Sequence, residues 1–174
     1  DGAGRMGVLR LPGNGLLARC PIHESRLLDL SWGRSEPRGA ISADVECQGK
    51  RLHIVATHLG LRPAERREQV TRLINLFRQR PNDPGVLLGD LNEWFLWGRP
   101  LRRLHRYFQH TPSPPTFPAR MPFLSLDRIW THPRSMLASL IELDDGCGYG
   151  ATGLAALAGV AARASATGSP PRSR

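Results

Sequence analysis

Three short stretches of this chain carry side chains of the kind that move protons near neutrality or hold hard cations: Thr57-His58-Leu59, Gly89-Asp90-Leu91-Asn92 and Leu126-Asp127-Arg128-Ile129. Each has an ordinary structural reading when taken alone. A histidine at a strand end is usually a hydrogen-bonded structural residue, Asp-x-Asn after a strand is usually a turn, and Asp-Arg is usually a surface pair. In combination they are more specific, because each sits at the edge of an apolar run and a helical pattern separates the first two.

The elements that must position them can be traced from periodicity. Ile41, Ala43, Val45 and Cys47 alternate with Ser42, Asp44 and Glu46, the period of a strand with one buried face. Gln48-Gly49 supplies a turn, and Arg51 to His58 continues with Leu52, Ile54 and Ala56 on one side, so the pair reads as a hairpin ending at His58. Residues 14 to 61 as a whole read as strands joined by tight turns. A helix is predicted from Pro63, with Val70, Leu73, Ile74 and Phe77 at i, i+3, i+4 and i+7. Its other face, with Glu65, Arg66, Arg67, Glu68, Arg72, Arg78 and Arg80, is expected to be solvated, with Glu68 and Arg72 at helix-pair spacing. Asn82-Asp83-Pro84-Gly85 is turn chemistry before Val86-Leu87-Leu88, a short apolar run of the kind found in a strand covered on both sides, and Asp90 follows directly. Arg99 to Phe108 reads as a short helix, Pro112 to Pro122 as a loop with five prolines, and Asp127 to Trp130 and Met136 to Leu143 as further strands.

Composition bounds the rest. A chain of 174 residues suits one domain. The expected domain is 1–145; residues 146–174, rich in Ala, Gly, Ser and Thr and free of acid, read as a disordered tail. The net charge of +9 excludes an acidic solvating chain and favours a phosphate-bearing partner. The positive charge concentrates in three segments, +4 over 62 to 80, +4 over 99 to 106 and +3 over 146 to 174. All but one of the 24 basic residues are arginine, with Lys50 the exception, which fits an Arg-rich coding bias as well as binding. No apolar run approaches the roughly 18 residues of a bilayer span. Cys20, Cys47 and Cys147 are widely spaced and lack any C-x-x-C, so neither a disulfide framework nor a cysteine zinc site is expected, and a reducing, cytoplasmic setting is the default.

The order of the three motifs, together with Gly13-Asn14-Gly15-Leu16-Leu17-Ala18-Arg19-Cys20-Pro21-Ile22, resembles the endonuclease/exonuclease/phosphatase superfamily, the deoxyribonuclease-I-like metal-dependent phosphoesterases. The stretches Thr57 to Arg62 and Gly89 to Trp94 look like a bacterial branch of it. The resemblance covers roughly residues 13 to 135. It implies an α+β fold, an α/β sandwich of two mixed β-sheets packed face to face with flanking helices, here without its first strands and last strand. It implies Mg²⁺ (or Mn²⁺) as cofactor and a phosphate-ester substrate: nucleic acid, a phospholipid headgroup or an inositol phosphate. Carried over residue by residue, Asp90 would orient and deprotonate the attacking water and, with Asn92, hold the metal. Asn92 would also hold a phosphate oxygen or the Asp90 carboxylate. His58 would contact the scissile phosphate, and Asp127 would orient a partner histidine near the C-terminus. Arg128 reads as structural and Glu93 as a surface residue.

Two parts of the family pattern have no match in this sequence. No residue in 1 to 13 corresponds to the early Asn or the Gln-Glu pair, and Gly150 to Ala156 stands where a closing Ser-Asp-His is expected. His132 lies five residues after Asp127, on the opposite face of a regular strand, and Asp144-Asp145 reads as a turn. An incomplete gene product with weak Mg²⁺ binding and reduced or no activity is therefore expected. The alternative is a non-catalytic basic module that binds nucleic acid or other polyanions through Arg62 to Arg80 and Arg99 to Arg106.

Overall fold

The fold is described from a computed structural model, which describes residues 7–11, 14–18, 20–47, 49–95, 98–109, 115, 117, 121 and 123–133. The expected strand Met136 to Leu143, Asp144-Asp145 and the tail 146–174 lie outside them, as does most of 112–122. In chain order the elements are β1 (Gly7–Leu11), β2 (Asn14–Ala18), β3 (Ile22–Asp29), β4 (Gly39–Cys47), β5 (Lys50–His58), α1 (Pro63–Arg78), β6 (Gly85–Asp90), α2 (Arg99–Phe108) and β7 (Asp127–His132).

Five strands form one mixed sheet in the order β3-β4-β5-β6-β7. All neighbours are antiparallel except β5 and β6, which run parallel and are joined across α1. A parallel pair needs such a crossover, and the stripe Val70, Leu73, Ile74 and Phe77 gives the helix a face to lay on the sheet. Pro63 begins the helix, where the missing N–H costs nothing. The second sheet among the described residues is the antiparallel hairpin β1–β2, of which β1 lies before the stretch where strands were expected. The mixed sheet with its two helices is that of the expected α/β sandwich.

Each face of the five-stranded sheet is buried against different partners. On one face Leu30, Val55, Leu87 and Trp130 pack with Leu73 and Phe77 of α1 and Leu101, Leu104 and Phe108 of α2. On the other, Ile41, Ala43, Val45 and Ala56 pack with Leu16 of the hairpin. Strand β4 is thus buried on both faces rather than one: Ser42 and Asp44 point to the helix side and are 4% and 5% exposed. They are tolerated there because each has a partner, Ser42 Oγ at 2.9 Å from His53 Nε2 and Asp44 in a bidentate pair with Arg80 Nη1 at 2.7 and 2.8 Å. Cys20 is disulfide-bonded, against the expectation that the cysteines form no disulfide framework. No described helix is long and apolar enough to cross a membrane.

Candidate functional site

Strand register brings the three motifs together. His58 is the last residue of β5 and pairs with Asp90, the last residue of β6; Asp90 in turn pairs with Asp127, the first residue of β7. Parallel strands end at the same edge, and the antiparallel β7 starts there, so three residues 32 and 37 positions apart in sequence become neighbours on adjacent strands. The expected apolar run Val86-Leu87-Leu88 extends to Gly85–Asp90, which makes Asp90 part of the ladder rather than of the loop beyond it.

His58 Nε2 lies 3.6 Å from Asp90 Oδ2, and both side chains are about one third exposed, at 32% and 30%. The other Asp90 oxygen, Oδ1, accepts the backbone N–H of Asn92 at 2.8 Å. That bond fixes the carboxylate plane and turns Oδ2 towards the imidazole. Asn92 has φ 49°, a left-handed conformation that asparagine tolerates better than most residues, and it is 6% exposed. Its side-chain Nδ2 donates to Leu59 O at 2.8 Å, tying the segment after β6 to the segment after β5. Two backbone bonds extend the ladder past the motifs, Leu59 N to Asp90 O at 2.9 Å and Leu91 N to Leu126 O at 3.0 Å. Asp127 is half-buried at the start of β7.

Beneath these residues lies a layer that the sequence reading missed. Glu93, expected at the surface, is buried at 4% and paired with Arg66, expected on a solvated helix face and 3% exposed. Arg66 Nε donates to Glu93 Oε2 at 3.4 Å, and its Nη1 donates to the carbonyls of Gly60, at 3.3 Å, and of Leu61. Gln69, fully buried, accepts Gly60 N–H at 2.9 Å and donates to Leu30 O at 3.0 Å and to buried Glu65 at 3.2 Å. A signal was available: counting back from Val70 and Leu73 by one turn places Arg66 and Gln69 on the same stripe as the apolar residues. Arg128, read as structural, is 3% exposed, with Nε donating to Ser125 O at 3.1 Å. Burial lowers its pKa, and the negative charge of Glu93 acts against that shift.

Among the described residues, no group of three or more His, Cys, Asp and Glu side chains gathers as a closed metal cage would. The hard-oxygen groups near that edge are few: the Asp90 carboxylate, 30% exposed, and the Asn92 carboxamide, buried with its Nδ2 on Leu59 O. That set fits a cation such as Mg²⁺, which keeps several waters and uses one or two carboxylates together with substrate phosphate oxygens. His132 pairs with Gly85 at the far end of the sheet, so it stands away from Asp127. A pocket lined by Glu24, Ser25, Arg26, Ser42, Asp44 and Arg80 also lies towards that far end.

The chain is 33% identical over 135 residues to the uncharacterized protein YbhP of Escherichia coli K12, a match covering 72% of this chain and 53% of that protein. The chain thus spans about half the length of the curated relatives it matches. In fold it is similar to the human Nocturnin catalytic domain with bound sulfate, at TM-score 0.52 and 19% identity, covering 67% of this chain and 50% of that one. It is also similar to D. rerio TDP2 complexed with single strand DNA product, at TM-score 0.50 and 17% identity, covering 67% and 56%. With strand ends that juxtapose a histidine and two carboxylates, and with the profile described as Endonuclease/Exonuclease/phosphatase family matching residues 7–155, this chain belongs to that family.

Proposed function

We propose that this chain carries the phosphate-ester-binding edge of a Mg²⁺-dependent phosphoesterase. The observation that carries the reading is the lateral row His58, Asp90 and Asp127 on three adjacent strands, with His58 and Asp90 at 3.6 Å. A bound divalent cation would supply positive charge to the non-bridging oxygens of the phosphate and lower the pKa of water beside it. Asp90 and Asn92 would hold it. Asp90, its plane fixed by the Asn92 N–H, orients a water and takes its proton through Oδ2. His58, one third exposed, faces the phosphate and donates a proton or a hydrogen bond to it. Asp127, next to Asp90 in the row, is the carboxylate that would orient a histidine near the C-terminus, for which Gly150 to Ala156 offers no match.

Substrate class follows from charge. Arginines of α2 and the positive balance of +9 suit a polyanion, and the structurally similar D. rerio TDP2 is complexed with single strand DNA product, so a nucleic-acid phosphodiester is the substrate we favour. The non-catalytic alternative has less support, since Arg66, Arg72 and Arg80 are engaged with Glu93, Glu68 and Asp44. Turnover by the 174-residue chain is expected to be low, with no third metal-binding group beside Asp90 among the described residues.

The test is hydrolysis of a chromogenic phosphodiester, supercoiled plasmid, short duplexes and phosphoinositides, with Mg²⁺ and with chelator. Cleavage that needs Mg²⁺ and is lost in Asp90→Asn supports the reading. Polyanion binding indifferent to chelator and to Asp90→Asn, without cleavage, refutes it and favours the non-catalytic module.

A further inference from the structure

We infer that Glu93 and Arg66 form a buried clamp that sets the spacing of the loops bearing His58 and Asp90, and that both are positioning residues rather than catalytic ones; the functional part of this inference rests on the reading proposed above.

The geometry is unusual for a surface helix of a basic protein. A carboxylate and a guanidinium, each about 4% exposed as side chains, are taken out of water together. Such a pair adds little net stability over a well-packed apolar pair, so stability alone does not account for it. What it does is join three segments. Arg66 comes from the first turn of α1 and fixes the carbonyls of Gly60 and Leu61, two and three residues past His58. Glu93 follows Asn92 directly, and its other oxygen, Oε1, accepts Phe95 N–H at 3.3 Å, which locks the side chain to its own loop. The charge of Glu93 also reaches Arg128, adjacent to Asp127. One carboxylate thus acts on all three stretches that bear the candidate catalytic groups.

The backbone is shaped to admit it. A Cβ on Gly98 would lie 2.5 to 2.8 Å from the Glu93 carboxylate, and a Cβ on Gly60 would lie 1.9 to 2.3 Å from the Glu65 carboxylate. Each glycine thus leaves room for a buried acid, whose carboxylate would have to shift to admit a Cβ. Together with Asn92 Nδ2 on Leu59 O and Gln69 on Gly60 N–H, the network satisfies Leu59 O, Gly60 N–H, Gly60 O and Leu61 O in succession. A loop held at that many consecutive groups has little freedom to move His58 relative to Asp90.

Amide hydrogen exchange on the 174-residue chain tests this, comparing wild type with Glu93→Gln and Arg66→Met. The expected result is exchange at least about tenfold faster at Leu59, Gly60 and Asn92, with Ala43 and Val55 in mid-sheet unchanged, and a double variant no worse than the singles. Where hydrolysis is measurable, kcat falls and KM holds. Unchanged exchange at the three amides, or uniform acceleration everywhere, overturns the clamp. If either variant does not fold, Gly98→Ala, which keeps both charges and displaces the carboxylate, is read by the same criteria. If the wild type never hydrolyses a phosphodiester but the variants show the local acceleration, the clamp stands and the enzymatic reading falls; hydrolysis by the wild type with silent amides in the variants does the reverse.

Discussion

Gly89→Ala should break the site without touching a single functional side chain. Gly89 has φ +137°, a conformation that strains any L side chain, and an added Cβ would lie 1.8 Å from Thr57 O and 2.8 Å from its carbonyl carbon. Contacts under 3.0 Å are not found for real Cβ atoms, so β5 and β6 must part by more than about 1 Å at this rung. The next rung is His58 with Asp90. A shift of that size lengthens ladder bonds beyond useful range, costing about 1 kcal/mol for each of two or so, and the backbone strain adds roughly 1–3 kcal/mol. The sum is about 3–5 kcal/mol, which lowers Tm by about 10 °C in a chain of this size. Gly49→Ala is the control: φ is +71° but nothing lies within 4 Å of an added Cβ, so only backbone strain of about 1 kcal/mol is expected. Displacing Asp90 by about 1 Å should also cost about a hundredfold in kcat/KM. Thermal melts in which Gly89→Ala and Gly49→Ala are equally destabilised would refute the argument that contact with Thr57 O holds glycine at position 89.

Asp90→Asn should leave Tm within about 2 °C of wild type while lowering Mg²⁺-dependent hydrolysis by about a hundredfold or more, measured with a chromogenic phosphodiester. Arg80→Met strands the buried Asp44 carboxylate; the full penalty for such a break is about 3–5 kcal/mol, and with Arg80 itself 33% exposed about 2 kcal/mol is expected in urea unfolding. His53 is buried, and burial, reinforced by the Arg80 charge, depresses its pKa below the ordinary 6.5. Below pH 6.5 the unfolded chain therefore binds a proton that the folded chain does not, and stability falls with pH at up to about 1.4 kcal/mol per unit until the folded pKa is passed. His53→Gln should flatten that slope in melts between pH 7 and 5, whereas an unchanged slope would assign the loss elsewhere.

Much of the scaffold was legible because its signals are local. Alternation marked β4 and β5, Pro63 and the 3.6-residue stripe marked α1, and the strand ends at His58 and Asp90 followed from where apolar runs stop. What escaped was decided by partners far along the chain. Ser42 and Asp44 look solvent-facing until Arg80 and His53 are placed over them, and Arg66 and Glu93 look like surface charges until each is seen to neutralise the other. β3 falls within 14 to 61, read as strands, but its bounds had no signal of their own: as an edge strand with nearly every residue exposed, it needs no apolar alternation. Nor can spacing along a sequence say that Cys20 meets another sulphur, because only the fold brings them close.

Chain direction explains which of the six histidines matters. His23 beside Glu46, His53 opposite Gly85 across the start of the parallel pair, and His132 at the end of β7 all lie towards one end of the sheet. His58 alone among the sheet histidines lies at the other end, where β5 and β6 finish together. Ligand sites of open sheets lie beyond the carboxyl ends of parallel strands, because there loops and helix starts converge and backbone polar groups are released from the ladder. Here the same crossover that makes β5 and β6 parallel delivers α1, and its first turns carry Glu65, Arg66 and Gln69 directly beneath that edge. One topological choice thus creates the edge, selects its histidine and supplies the side chains that hold the loops; reversing β6 would carry Asp90 to the far end, beside His53.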